Sequence, residues 1–193
     1  MMKPGFDNPQ QWLIQIFNPV EFCSCGAHSV YHALLCLGIV VKKQKVITLQ
    51  CLNPFPDFFG LNPGQLMDLA KSNGAKPYNI SKPASKSGLG KLKKEIDHHL
   101  QRGHPIVLGV RDRGHWILIS GRSSTGRPRY YWMDSAGDTL TGHCSWKKIV
   151  KWIDQSSDDP DEIEAIAVGH SKEESARSLV PRMGELHKML AKD

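Results

Sequence analysis

The chain has 193 residues, 40% hydrophobic and 23% charged, with 25 Lys and Arg against 19 Asp and Glu for a formal charge of +6. That length and apolar content fit one globular domain with its own core. They exclude a disordered or fibrous chain, and no apolar run nears the roughly 18–20 residues that a bilayer crossing needs. The lysine clusters Lys42-Lys43-Gln44-Lys45 and Lys91-Leu92-Lys93-Lys94 lack interleaved aromatics, which argues against nucleic acid and leaves an acidic protein or peptide, or a membrane surface, as partners open to the charge.

Residues 1–22 read as loop, broken by Pro4, Pro9 and Pro19. The first helix is predicted over 25–38, where Ala27, Val30, Tyr31, Leu34 and Leu37 recur at helical spacing and Gly38 supplies the stop. The stretch 39–62 carries turn signals, Asn53-Pro54-Phe55-Pro56 and Asn62-Pro63-Gly64. A second helix is predicted over 63–73, from Pro63 in its first turn through Leu66, Met67, Leu69 and Ala70 to Asn73-Gly74. Residues 76–88, rich in Lys, Ser and Pro, read as loop, and a third helix covers 89–102. The period then changes. Strands are predicted at 105–110, 116–120 and 129–133, with Ser123 to Pro128 turning the second into the third. A helix follows at 145–153, with Trp146, Ile149, Val150 and Ile153 on its apolar side, and a last strand at 163–168. From Ser171 the chain is charged and helix-prone, so the expected organisation is a domain over 1–170 and a tail over 171–193. Helices first and an antiparallel sheet second is an α+β pattern.

Cys25 opens the first helix in the run Ser24-Cys25-Gly26-Ala27-His28-Ser29. A thiol with an ordinary pKa of about 8.5 is lowered by a helix N-terminus and by an imidazolium partner, which makes the nucleophilic thiolate available near neutral pH. Gly26 lets the backbone pass close to a substrate carbonyl, and the Cys25 main-chain N–H is placed to serve an oxyanion hole. His115, between Gly114 and Trp116 at the start of a strand, is the candidate base. Asp134, which ends the next strand, is the candidate for orienting the imidazole through its second ring nitrogen, with Asp138 a weaker rival.

The five cysteines are Cys23, Cys25, Cys36, Cys51 and Cys144. No apolar segment follows Met1, so Sec export is not expected, the thiols are expected to be reduced, and the cytosol is the default location. Delivery by a non-Sec secretion machine stays open. His28 and His32 share a helix face with Cys25, and Cys23 or His143-Cys144 would extend that group toward a zinc site. A second ligand pair at finger spacing is lacking, so no metal or other cofactor is expected.

Ser24-Cys25-Gly26-Ala27-His28-Ser29-Val30, Gly103-His104-Pro105-Ile106-Val107-Leu108, Gly114-His115-Trp116-Ile117-Leu118-Ile119 and Tyr130-Tyr131-Trp132-Met133-Asp134 together resemble bacterial papain-like cysteine peptidases. Within that superfamily the chain is most similar to the enzymes that cleave double-glycine leader peptides, a core also used by secreted effectors that cleave or deamidate host proteins. The resemblance covers about residues 12–140. It implies a papain-like α+β fold, with an N-terminal helical lobe carrying the nucleophile and an antiparallel sheet lobe carrying the His and Asp. It implies Cys25 as nucleophile, His115 as base and Asp134 as orienting acid. It also implies a Gln before the cysteine that completes the oxyanion hole. Pro19 stands six residues before Cys25, where that Gln is expected, and the nearest amides are Gln15 and Asn18.

The expected function is hydrolysis of a peptide amide through a Cys-His-Asp triad and an acyl-enzyme. Two alternatives stay open. An effector-type glutamine deamidase would use the same steps on a side-chain amide, and a catalytically degenerate relative would grip a peptide without cutting it.

Overall fold

A computed structural model describes residues 25–39, 41, 61–110, 115–123, 126–135, 141–153 and 162–171. Among the described residues, four helices and eight strands run in the order α1 (Cys25–Cys36), α2 (Pro63–Ser72), β1 (Ala75–Asn79), β2 (Lys82–Pro83), α3 (Lys86–Gln101), β3 (Ile106–Val110), β4 (His115–Arg122), β5 (Tyr130–Met133), β6 (Thr141–Cys144), α4 (Trp146–Ile153), β7 (Glu162–Ile163) and β8 (Ala165–His170). Six strands form one sheet in the order β1-β8-β3-β4-β5-β6, every neighbouring pair antiparallel, while β2 and β7 pair separately.

Both faces of the sheet are covered. On one face, α1 and α2 meet Val107, Trp116, Leu118, Met133, Ile166 and Val168. On the other, Leu92 and Ile96 of α3 and Ile149 and Ile153 of α4 meet Ile106, Leu108, Ile117 and Ile119. Two-sided burial explains why Ile106-Val107-Leu108-Gly109-Val110 is apolar throughout instead of alternating. α1 is buried nearly all round, from Gly26 through Leu35 with His28 the exception. Each fully buried Leu or Val there contributes about 1.5–3 kcal/mol, so tertiary packing, and not propensity, holds this helix.

Local chemistry sets the helix ends. α2 starts with a capping box: the Gln65 N–H donates to Asn62 Oδ1 at 3.0 Å and the Asn62 N–H to Gln65 Oε1 at 2.9 Å. Pro63 takes the first helical position, where its missing N–H is not needed. Ser85 caps α3 by accepting from the Gly88 N–H at 3.0 Å. Gly88 has no substitute there, since a Cβ would fall 1.9 Å from the Pro83 carbonyl oxygen.

The structure corrects several expected boundaries. Residues 76–88 are not one loop: they carry β1, β2 and the first residues of α3, which begins at Lys86 and not at 89. Pro77 hides β1 in the sequence, yet it sits opposite Val168 on a strand at the end of the sheet order, where proline is tolerated. β6 was not expected. It is four residues long, and its Gly142 lies under Trp132, whose ring would be 2.8 Å from a Cβ. The strand expected over 163–168 is split at Glu164. Ile163 pairs with β2, while the Glu164 carbonyl accepts from the Gly109 N–H at 2.9 Å and β8 continues to His170. The expected tail lies, from residue 172 onward, outside the described residues. Among the described residues no helix is long and apolar enough to cross a membrane.

Candidate active site

The first residue of α1 is Cys25, which puts its sulfur at the positive end of a 12-residue helix. His115 is the first residue of β4, opposite Val110 of β3. Asp134 follows directly on Met133, the last residue of β5, which pairs with Leu118 of β4. Adjacent strands therefore deliver the imidazole and the carboxylate to one end of the sheet, and α1, lying across that face, brings the sulfur to them.

His115 Nε2 and Asp134 Oδ1 are 2.5 Å apart, a short hydrogen bond between ring and carboxylate. Both residues are buried, at 8% and 7% exposure. The Cys25 thiol is hydrogen-bonded to the same histidine. With Nε2 taken by Asp134, Nδ1 is the ring nitrogen left for the sulfur.

The electrostatics follow from this geometry. Burial works against ionising the Cys25 thiol. The hydrogen bond and charge of His115, with main-chain hydrogen bonds from Trp116 and Gly26, outweigh it and bring the thiol below its ordinary value. Burial alone would lower His115, but the hydrogen bonds and negative charge of Asp134 and Cys25 raise it to about 9. Each partner therefore favours the charged form of the other, thiolate beside imidazolium. The contrast with the other described thiols is sharp: burial pushes Cys36 up to about 12 and Cys144 up to about 11.

Of the residues singled out in the sequence, Cys25, His115 and Asp134 come together. The oxyanion candidates Gln15 and Asn18, the rival Asp138, and Cys23 and Cys51 lie outside the described residues. His32 is a core histidine at 3% exposure, pushed down to about 3 by burial and by His28. Among the described residues no group of three or more His, Cys, Asp or Glu side chains is placed to hold a metal ion. Sequence reasoning passed over two contributors, Ser29 and Trp116. The Ser29 hydroxyl donates to the Trp116 carbonyl at 3.3 Å, and the Trp116 indole N–H donates to the Leu61 carbonyl at 3.0 Å. The available signal was a bulky aromatic directly after His115, matched by a glycine directly after Cys25.

These features define a mixed helix and antiparallel-sheet fold with a helix-borne cysteine against a sheet-borne His–Asp pair. No protein-family profile and no curated protein matches the sequence. Among solved structures, the chain is similar in fold to a double-glycine motif protease from an AMS/PCAT transporter, determined in complex with the leader peptide. The TM-score is 0.53 at 14% identity, over 79% of this chain and 88% of that one.

Proposed function

We propose that the protein is a papain-like cysteine peptidase that cleaves a peptide amide through Cys25, His115 and Asp134. The observation that carries this reading is the relay from sulfur to imidazole to carboxylate, with the thiol of Cys25 lowered while those of Cys36 and Cys144 are raised. The fold likeness to a double-glycine protease supports it.

In this reading the Cys25 thiolate attacks the scissile carbonyl carbon, and the developing oxyanion is met by the Cys25 main-chain N–H at the start of α1. The His115 imidazolium gives its Nδ1 proton to the departing amine as the C–N bond breaks, leaving a thioester. Neutral His115 then takes a proton from water, the hydroxide oxygen adds to the thioester carbon, and the carboxylic acid leaves as the thiolate reforms. Asp134 holds the ring and balances its charge through both steps.

A peptide ending its leader in two glycines is the first substrate to offer, since the protein of similar fold was captured with a leader peptide. Intact mass spectrometry after incubation with wild type and with Cys25→Ala reads the outcome. Two fragments with wild type alone are expected. A gain of about one dalton on a glutamine-containing protein would instead assign deamidation by the same thiol chemistry. An unchanged mass together with an unreactive Cys25 would overturn the hydrolase reading.

A further inference from the structure

Trp116 is 2% exposed, meets the nucleophile helix in three ways and is anchored outside it by a fourth contact. Its main-chain N–H faces the Cys25 sulfur. Its carbonyl accepts from Ser29 Oγ at 3.3 Å. Its indole N–H is anchored on the Leu61 carbonyl at 3.0 Å. Its ring lies against Gly26 so closely that a Cβ there would be 3.1 Å from Trp116 Cδ1 and 3.0 Å from Leu66 Cδ2.

The sheet leaves this main chain available. In the antiparallel pair Gly109–Trp116, the Gly109 N–H is turned the other way, onto the Glu164 carbonyl. The N–H and C=O of Trp116 therefore point away from β3. On their side the β4–β5 pairing stops at Leu118–Met133, two residues short of Trp116. The groups a further ladder rung would have used are taken by α1. Cys25 and Ser29 are one helical turn apart, on the same face, so both reach the same residue.

We propose that Trp116 is a positioning residue: it sets the separation between the Cys25 sulfur and the His115 ring, with Gly26 as the socket for its indole and Ser29 as the second point of the clamp. This rests on the peptidase reading of Cys25 and His115. A rigid ring wedged between helix and strand fixes a distance that the flexible thiol cannot fix for itself. A hydrogen bond to a thiolate weakens steeply when the partners separate.

The test is the pH profile of Cys25 alkylation by iodoacetamide in the full-length wild type and in Gly26→Ala, Trp116→Phe and Ser29→Ala. Fold is monitored by circular dichroism and the thermal midpoint, and the labelled site is assigned by peptide mapping. A purely structural role would move the midpoint and leave the profile alone. The expected result is a rise of about one unit in the thiol's apparent pKa for Gly26→Ala and Trp116→Phe, read as roughly tenfold slower labelling near pH 6, with rates converging at alkaline pH. Ser29→Ala shifts the same way by less. Folded Gly26→Ala and Trp116→Phe proteins with the wild-type profile would overturn the proposal. Where Gly26→Ala does not fold, Trp116→Phe and Ser29→Ala decide, and wild-type profiles in both overturn it. A wild-type Cys25 that labels like an ordinary thiol overturns the peptidase reading and this proposal with it, an outcome distinct from the first because it shows before any substitution is made.

Discussion

His115 and Asp134 are held 2.5 Å apart by neighbouring antiparallel strands, one beginning where the other ends. The carboxylate is buried at 7% exposure, so its charge acts on the ring with little screening by water. Replacing it by an amide of the same shape tests how much of the site depends on that charge. Asp134→Asn is expected to lower the His115 pKa from about 9 toward or below its ordinary 6.5. Any peptide-cleaving rate should fall on the order of 10⁴-fold, as replacing an orienting carboxylate by its amide does elsewhere. NMR titration of the His115 ring reads the first effect directly. An unmoved His115 would show that the carboxylate is not what raises it.

The pH dependence has a definite sign. Cys25 is lowered and His115 is raised to about 9, so the thiolate–imidazolium pair exists above the first pKa and below the second. Peptide cleavage should therefore rise with pH at a lower pH than an ordinary thiol would set and fall again near pH 9, a bell whose limbs belong to the coupled pair. His115→Ala removes the imidazole's hydrogen bond and charge and leaves the burial opposed only by the main-chain hydrogen bonds of Trp116 and Gly26. Its Cys25 should need a higher pH than the wild type to react, which iodoacetamide labelling from pH 5 to pH 10 would measure.

Acid should loosen the far end of α3. His99 Nδ1 and His104 Nδ1 are 3.1 Å apart, so one ring donates and the other must stay neutral to accept. Tyr78 stacks on His104 with ring centroids 5.7 Å apart. Burial, then the positive neighbours His99, Arg102, His170 and His98, push His104 down to about 4. A histidine with a depressed native pKa contributes stability that is fully present above its unfolded value of 6.5 and is lost as pH falls through about 4. After allowance for solvent screening the loss is about 1 kcal/mol. Urea midpoints between pH 7 and pH 4 should fall in the wild type and fall less in His104→Gln. Parallel lines for the two proteins would remove this group from the account.

Away from the site, Tyr130→Phe tests the bridge between α3 and the sheet. The Tyr130 hydroxyl donates to Asp97 Oδ1 at 2.7 Å, and Lys93 and Arg122 share that carboxylate at 2.6 and 3.5 Å. The two cations stay when the hydroxyl goes, so the cost should be the ordinary one of about 0.5–1.5 kcal/mol. Chemical denaturation should show it with cysteine reactivity unchanged. A change in Cys25 labelling would mean that this bridge reaches the site.

The residues with the strongest local signals were the ones legible in the sequence. A helix whose apolar residues recur from Ala27 to Leu37, and strands as apolar as Ile106 to Val110, are set by burial that leaves its mark on every residue. Cys25, His115 and Asp134 were legible because each sits at the end of such an element. What was not legible depends on partners distant in the chain. β1 with its proline exists because β8 lies beside it, and β6 with its glycine because Trp132 needs the space. The role of Trp116 was hidden for the same reason. A tryptophan on a strand reads as core, and its contact with Gly26 appears only when α1 lies across β4.

The strand order has a consequence for the order of events in synthesis. β8, the last of the described strands, lies between β1 and β3, and its Ile166 and Val168 form part of the floor on which α1 rests. The cysteine near the start of the chain therefore lacks its complete seat until residues 165–170 have left the ribosome. A nascent chain ending before Ala165 should carry Cys25 as an unactivated thiol. In the proposed peptidase, the nucleophile's seat is thus completed only after most of the domain has been made.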